Sequence, residues 1–396
     1  MRLLSVAVLL LAIGSLDFAG AAATHLPKFR NGASSTGWIN FEFWDGKEIF
    51  IPAKINGHET EVLLANGLPT PDIDRGFAGS IGLFHTTGSG SSQENDLDAD
   101  SVIHGLQIQI GTLTLAQTDA SEVDFAALSR HLGHPVPLLL GDNAFDSLVV
   151  DIDFAHHRIA LRDPSELQIP AGAARVPIIR AKGNFLVPFS IEGAAPADFE
   201  LGLGNSGDLL VYQSYYEAHS LLEGRRLSKR LGIGSGGIVP ESIGTLRSAQ
   251  FAGFGFENMP AAFIPASLAG TQSSTIAGDL GLPLLARFQL IIDYSHNWLY
   301  AIPYADRIHE PFPKDRLGLW LNKKDAVLTV EFVAPDSPAS SAGFRIGDKV
   351  AQIDGRAVQA WSEMALADLR YRPDGNSLVF TMQDGSVRRV KLADYF

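Results

Sequence analysis

Hydrophobic positions along the chain come in short runs, and most of these runs end in glycine. FIPAKING (residues 50–57) and FLVPFSIEG (residues 185–193) each predict a strand that turns at its glycine. VLLANG (62–67) and FELGLG (199–204) predict strands that run straight into a glycine loop. LVVDIDF (148–154) and LIIDY (290–294) are dense in aliphatic and β-branched residues, which predicts central strands. HHRIAL (156–161) and HNWLYAI (296–302) then read as their hairpin partners. Helical spacing is confined to short stretches, residues 121–133 and 213–224 in this part of the chain. The polar, acidic segment 85–100 predicts an exposed loop or hairpin tip, and GIGSGGI (232–238) a flexible loop, read as a flap.

These runs repeat. The order strand–Gly, strand–Gly loop, aliphatic–Gly, central strand occurs twice. Gly141 to Asp153 is twelve residues, and so is Gly281 to Asp293. Ala65 to Gly141 is 76 residues, and Gly202 to Gly281 is 79. A shared order at shared spacing predicts a duplicated β-rich lobe. The first copy covers residues 46–164 and the second 175–304.

The ends differ from this pattern. Residues 1–23 carry Arg2, an uncharged run and then small residues, which predicts a secretory signal peptide and an exported, periplasmic or extracellular protein. The apolar run is shorter than the roughly 20 residues of a membrane span, so none is expected in the mature chain. Residues 24–45 lack periodicity and predict an exposed lead-in. Residues 305–313 sit in a Pro-rich, charged linker. The last segment, 314–396, predicts a small α/β domain: a strand over 326–333, an amphipathic helix over 361–372, and a hairpin around Asp384 and Gly385.

Composition narrows the function. The 39 Gly and 21 Pro suit a mainly β protein. A net charge of -13 without a basic patch argues against nucleic acid. The absence of Cys excludes disulfides, thiolate metal sites and Cys nucleophiles. His131, His134, His156 and His157 lack the full ligand set of a zinc site in the sequence and read as surface residues, so neither metal nor cofactor is expected.

On these residues the duplicated lobes resemble the two-lobed aspartic peptidases, pepsin- and retropepsin-like, over roughly residues 46–304. The resemblance rests on the strand–Gly loops, on Leu139-Leu140-Gly141 and Leu280-Gly281, on Asp72-Ile73-Asp74, and on Asn205-Ser206-Gly207. It implies a peptide cleft between the lobes and one catalytic Asp per lobe sharing a proton, because two carboxylates so close cannot both ionise. The positions that match those Asp residues hold Ala65 and Gly202, and only the loop glycines Gly67 and Gly204 remain. No catalytic residue is therefore assigned. Asp72, Asp74, Asp142, Asp208 and Asp279 are the acids near the loops, each read as a turn, cap or surface residue. Asp153 and Asp293 read as turn holders.

The segment 314–396 resembles a PDZ domain through Arg316-Leu317-Gly318-Leu319, Asp336-Ser337-Pro338-Ala339, Ala342-Gly343-Phe344 and Ile353-Asp354-Gly355. The resemblance implies that Leu317, Gly318 and Leu319 bind a terminal carboxylate, with helix 361–372 beside the groove. Trp320 makes a bulky start to the strand. The expected function is a catalytically silent protein that binds extended peptides or protein C-termini. The alternatives are an endopeptidase using a relocated acid, and a scaffold docked through its PDZ domain.

Overall fold

The computed structural model describes residues 7–8, 27–44, 46–68, 70–83, 101–141, 144–181, 183–205, 207, 209–234, 237–269, 275–324 and 327–396. It is mainly β, with several sheets, one of them barrel-like. Most of the segment read as a signal peptide, the segment 85–100, Asp142, Asp208 and the tip of the 232–238 stretch lie outside the described residues. Among the described residues no helix is long and apolar enough to cross a membrane.

The first sheet grows from Glu48–Ile55 (β1) and His58–Leu64 (β2), paired antiparallel with Phe50 opposite Leu63. Their turn is Asn56-Gly57, both at positive φ (48° and 86°), the backbone that matches a two-residue hairpin to strand twist. Asp72–Asp74 (β3) follows the loop, and Leu138–Leu140 (β4) inserts between β2 and β3. It runs parallel to β2, with Leu139 beside Leu63, and antiparallel to β3, with Leu139 beside Asp72. Val149–Asp153 (β5) then leaves this sheet.

The second sheet repeats this arrangement. Asn184–Ile191 (β6) and Ala197–Leu201 (β7) form the hairpin, with Glu192 and Gly193 at positive φ in its turn. Leu209–Tyr212 (β8) follows the loop. Leu227–Gly234 (β9) and Gly237–Phe251 (β10) are a long hairpin. The reading of 232–238 as a loop is thus corrected, because cross-strand pairing carries the backbone through its glycines to Gly234 and Gly237. Gly278–Leu280 (β11) inserts between β7, parallel, and β8, antiparallel. Ser190 of β6 also pairs with Gln250 of β10, which bends the sheet back on itself. Phe288–Asp293 (β12) leaves this sheet and pairs antiparallel with β5, Val150 opposite Ile292. One apolar core, including Ile49, Phe145, Phe199 and Phe288, runs through both sheets.

Two segments are more integrated than their composition suggests. The lead-in is not wholly exposed: Glu42–Trp44 pairs with β1, Ile39–Asn40 pairs with Arg158–Arg162, and Phe41 is buried. The linker buries Ile308 and Phe312, and the Arg287 guanidinium lies over the Phe312 ring while Nη1 donates to the carbonyls of Arg307 and Glu310. A third difference concerns residues 121–133, where the helix covers only Ala126–Leu132. Ser121 to Val123 pair in parallel with β3, and that pairing overrides the local helical spacing.

The C-terminal segment has its own core, with Leu328, Val330, Val350, Leu378 and Phe380 all fully buried. Leu319–Lys324 (β13) is an edge strand paired to Val327–Val333 (β14). This unit packs on the β9–β10 hairpin. Trp320 meets Leu231, and Ile243 clusters with Ala334, Tyr395 and Phe396. Ser228 Oγ donates to the Pro335 carbonyl at 2.8 Å.

Candidate functional site

Side chains alternate along an extended chain, so Glu200 of β7 faces the same side as Gly202, the residue just past its end. Parallel pairing sets Asp279 of β11 level with Glu200. Two acids therefore stand side by side on neighbouring strands, beside the second glycine loop. The corresponding pair in the first sheet is Leu63 and Leu139, matched in the same parallel register.

Gly202 is required by this packing. A Cβ built there would stand 1.9 Å from Asp279 Oδ1 and 2.9 Å from the Leu280 carbonyl oxygen. The Asp279 carboxyl fills the space that a side chain at 202 would need.

The acids face a cavity of about 30 Å³, room for about one water, bounded by Ala65, Gly67, Gly202, Gly204 and Asn184. The Tyr212 hydroxyl donates to Glu200 Oε2 at 3.2 Å. Glu200 Oε1, Asp279 Oδ1 and Asn184 Nδ2 are shielded from solvent and have no hydrogen-bond partner. Burial pushes the Glu200 carboxyl up to about 7, against the Tyr212 hydrogen bond. Burial, then the neighbouring Glu200 charge, pushes Asp279 well above the carboxylate range, with Asn205 acting the other way. Two carboxyls this close and this dry hold a proton at pH values where free acids have lost theirs.

The two loops are tied across the cavity by Asn66. Its Nδ2 donates to the Leu201 carbonyl at 2.6 Å, and its Oδ1 accepts from Leu203 N at 2.8 Å. Ala65 is buried in an apolar cluster with Leu63 and Leu139 and brings no chemistry.

The other acids scatter. Asp74 caps helix Arg75–Ser80 by accepting from Phe77 N and also accepts from Phe125 N. Asp72 is pushed up to about 6 by burial, opposed by the Ser121 hydroxyl, but does not line the cavity. Asp153 and Asp293 hold equivalent turns, accepting from His156 Nδ1 and His296 Nδ1 at 2.7 and 2.8 Å. Asp279 alone of the described candidates reaches the cavity. It is a buried strand residue at 8% exposure, which corrects its reading as a turn or surface acid. Glu200 and Tyr212 escape a search for loop acids. The usable signal is the repeat itself, which sets Glu200 against Leu63 and Asp279 against Leu139.

His134 is corrected as well, since it is not a plain surface residue. Its ring lies 4.1 Å from the Phe50 ring, and its Nε2 faces Glu61 at 3.4 Å and Glu42 at 3.6 Å. Among the described residues, His134, Glu42 and Glu61 have ligand atoms near enough together to hold a metal ion. His156 bonds Asp153, and His157 stacks on Phe41.

In the C-terminal unit, Leu317 N and Gly318 N both donate to Asp315 Oδ1 at 2.8 Å. Two of the three amides expected to receive a terminal carboxylate are thus taken by an internal one. Gly318 has φ +71°, and a Cβ there would meet Ser337 Cβ at 2.2 Å. Leu317 and Leu319 are buried in the core. No family model and no curated protein matches the chain.

Proposed function

We propose that this is an exported, two-lobed protein of aspartic-peptidase-like fold with a C-terminal PDZ-like domain, and that it binds extended polypeptide in the cleft between the lobes. The observation that carries the reading is the pairing of two equivalent glycine loops, held together by Asn66, over a polar cavity. A peptide backbone laid across Gly67 and Gly204 meets no side chain from either glycine. Ala65 and Gly202 supply no acid at the positions where the resembled family carries its own.

The peptide site belongs in the cleft rather than in the loop at Leu317, Gly318 and Leu319. Asp315 already takes two amides of that loop, and the C-terminal unit packs its Trp320 and Phe396 against the β9–β10 hairpin. The C-terminal unit then supports the hairpin as a scaffold.

The test is fluorescence anisotropy with a defined mixture of labelled, unstructured peptides. Saturable binding that is lost on Ala65→Trp, which fills the cavity wall, supports the reading. Binding unchanged by that substitution places the peptide elsewhere.

A further inference from the structure

We propose that His134, Glu42 and Glu61 form a binding site for one zinc-class divalent cation on the first sheet. None of the three lines the cavity at the glycine loops, so the proposal does not rest on the peptide reading.

The fold brings the three together from remote parts of the chain. Glu42 stands opposite Phe50, and Phe50 opposite Leu63. Glu61 is two residues from Leu63 and therefore shares its face of the sheet. The two glutamates thus flank Phe50 on one face of three neighbouring strands. The third ligand comes from beyond helix Ala126–Leu132, which Gly133 ends at φ +66°. His134 N then donates to the Ser129 carbonyl at 3.2 Å. The imidazole lies over the Phe50 ring at 4.1 Å and against the Trp44 ring at 4.7 Å. Trp44 Nε1 donates to the Leu132 carbonyl at 2.8 Å, which ties the strand to the helix end. The His134 side chain is 13% exposed, whereas Glu42 and Glu61 are 45% and 36% exposed. The ring is held firmly, and an ion reaches the site from solvent.

The chemistry of the three groups calls for a cation. His134 Nδ1 lies 2.9 Å from the Pro135 carbonyl oxygen. A carbonyl only accepts, so Nδ1 carries the hydrogen and Nε2 of the neutral ring presents a lone pair. Pinning one ring nitrogen to a carbonyl is how a metal-binding histidine is oriented. Nε2 faces Glu61 Oε2 at 3.4 Å and Glu42 Oε2 at 3.6 Å, and ionised carboxylates also only accept. Among the described residues, neither glutamate pairs with a lysine or arginine. Three lone pairs and two negative charges therefore converge. The spacing then selects the cation. A charge-assisted N–H···O bond would close to about 2.7–2.9 Å. Zinc bound tetrahedrally at about 2.0–2.2 Å sets its ligand atoms about 3.3–3.6 Å apart. The two separations from Nε2 fall in that range. All three ligand atoms lie within 4.8 Å of one another, so rotation of the partly exposed glutamates closes the set. An imidazole nitrogen favours zinc-class ions over magnesium and calcium, which take oxygen ligands. Three protein ligands leave the fourth position to water.

The experiment titrates zinc, and separately cobalt(II), into the full chain after chelation and removal of any affinity tag. Calorimetry reads zinc stoichiometry and Kd, and visible absorption reads the cobalt geometry. The variants are Glu42→Gln, Glu61→Gln, the double of these, and His134→Phe, which keeps a ring on Phe50. Wild type is expected to bind one zinc per chain and to give the intense cobalt bands of a four-coordinate site. Each single glutamine variant should weaken zinc about tenfold or more, and the double should lose the cobalt bands. Thermal melts confirm folding, and the glutamine variants at exposed positions carry the test if His134→Phe does not fold. No zinc binding by wild type overturns the proposal. Zinc binding unchanged in the glutamine variants places the ion on other side chains and also overturns it. A preference for calcium or magnesium over zinc overturns the zinc-class assignment.

Discussion

Asn66 grips the second loop with both ends of its amide, donating to Leu201 O at 2.6 Å and accepting from Leu203 N at 2.8 Å, while only 2% exposed. An alanine there leaves a buried amide and carbonyl poorly paired at the join between the two sheets. Asn66→Ala is expected to cost about 2–3 kcal/mol in urea melts. Asn66→Asp keeps the acceptor but sets a carboxylate against the Leu201 carbonyl. Its loss should be larger at neutral pH and shrink on acidification, when the protonated acid regains a donor.

The acid pair predicts a slope of stability with pH. Glu200 has its folded pKa raised from 4.5 to about 7, so the folded chain keeps a proton that the unfolded chain has lost in that window. Stability from this group is complete below about 4.5 and falls as pH rises through about 7. At about 1.4 kcal/mol per unit the loss is about 3 kcal/mol. Asp279, also raised, extends the decline to higher pH. The groups facing the pair are Tyr212, Asn184 and Asn205, none of which titrates there in place of the acids. Asp72, raised to about 6, and Asp151, also raised by burial, add separate slopes that remain in any variant of the pair. Glu200→Leu/Asp279→Leu should flatten the rest and melt higher at neutral pH, by about 1–4 kcal/mol.

Much of the framework was legible in the sequence because strand runs and their glycine turns are local. β1, β2, β6 and β7 lie where the hydrophobic runs place them, and the hairpin around Asp384 and Gly385 joins Ser377–Met382 to Val387–Lys391. The acid pair is different. Glu200 looks like an ordinary polar residue in an alternating strand, and its neighbour Asp279 lies far along the chain, brought level only by the parallel pairing of β7 and β11. Asp315 hides for a related reason: an acid before a glycine loop reads as solvated, and its two backbone donors appear only when the loop is folded. The helical spacing of residues 121–123 misleads because the strand they pair with, β3, is remote in sequence.

Gly202 and Asp279 should behave as a coupled pair. The 1.9 Å approach means that Gly202→Ala displaces the Asp279 carboxyl and costs about 1–3 kcal/mol in overpacking. Asp279→Ala in the same chain removes that clash, though the Leu280 carbonyl at 2.9 Å keeps the recovery partial. A double-mutant cycle on urea melts should give a coupling of about 1 kcal/mol or more. By the same geometry, Ala65→Asp with Gly202→Asp does not build a symmetric acid pair unless Asp279 is also replaced. Additive costs in the cycle would show that Asp279 does not occupy the space at 202.

Asp315 sets the fate of the C-terminal loop. Its Oδ1 accepts from both Leu317 N and Gly318 N, and being tethered in the same loop it competes with any incoming carboxylate at high local concentration. The full chain should therefore not capture peptides through a free C-terminus at this loop. Asp315→Ala exposes both amides and leaves the β13 edge beside them, since among the described residues β13 pairs with β14 alone. It should cost about 1–2 kcal/mol in stability and gain binding to peptides ending in a free carboxylate. Peptides amidated at the C-terminus should not bind, since the freed amides then face no negative charge. Isothermal titration with matched acid and amide peptides checks this. Equal binding of the two forms, or none after Asp315→Ala, would mean that the loop holds the unit together through Asp315 and takes no peptide terminus.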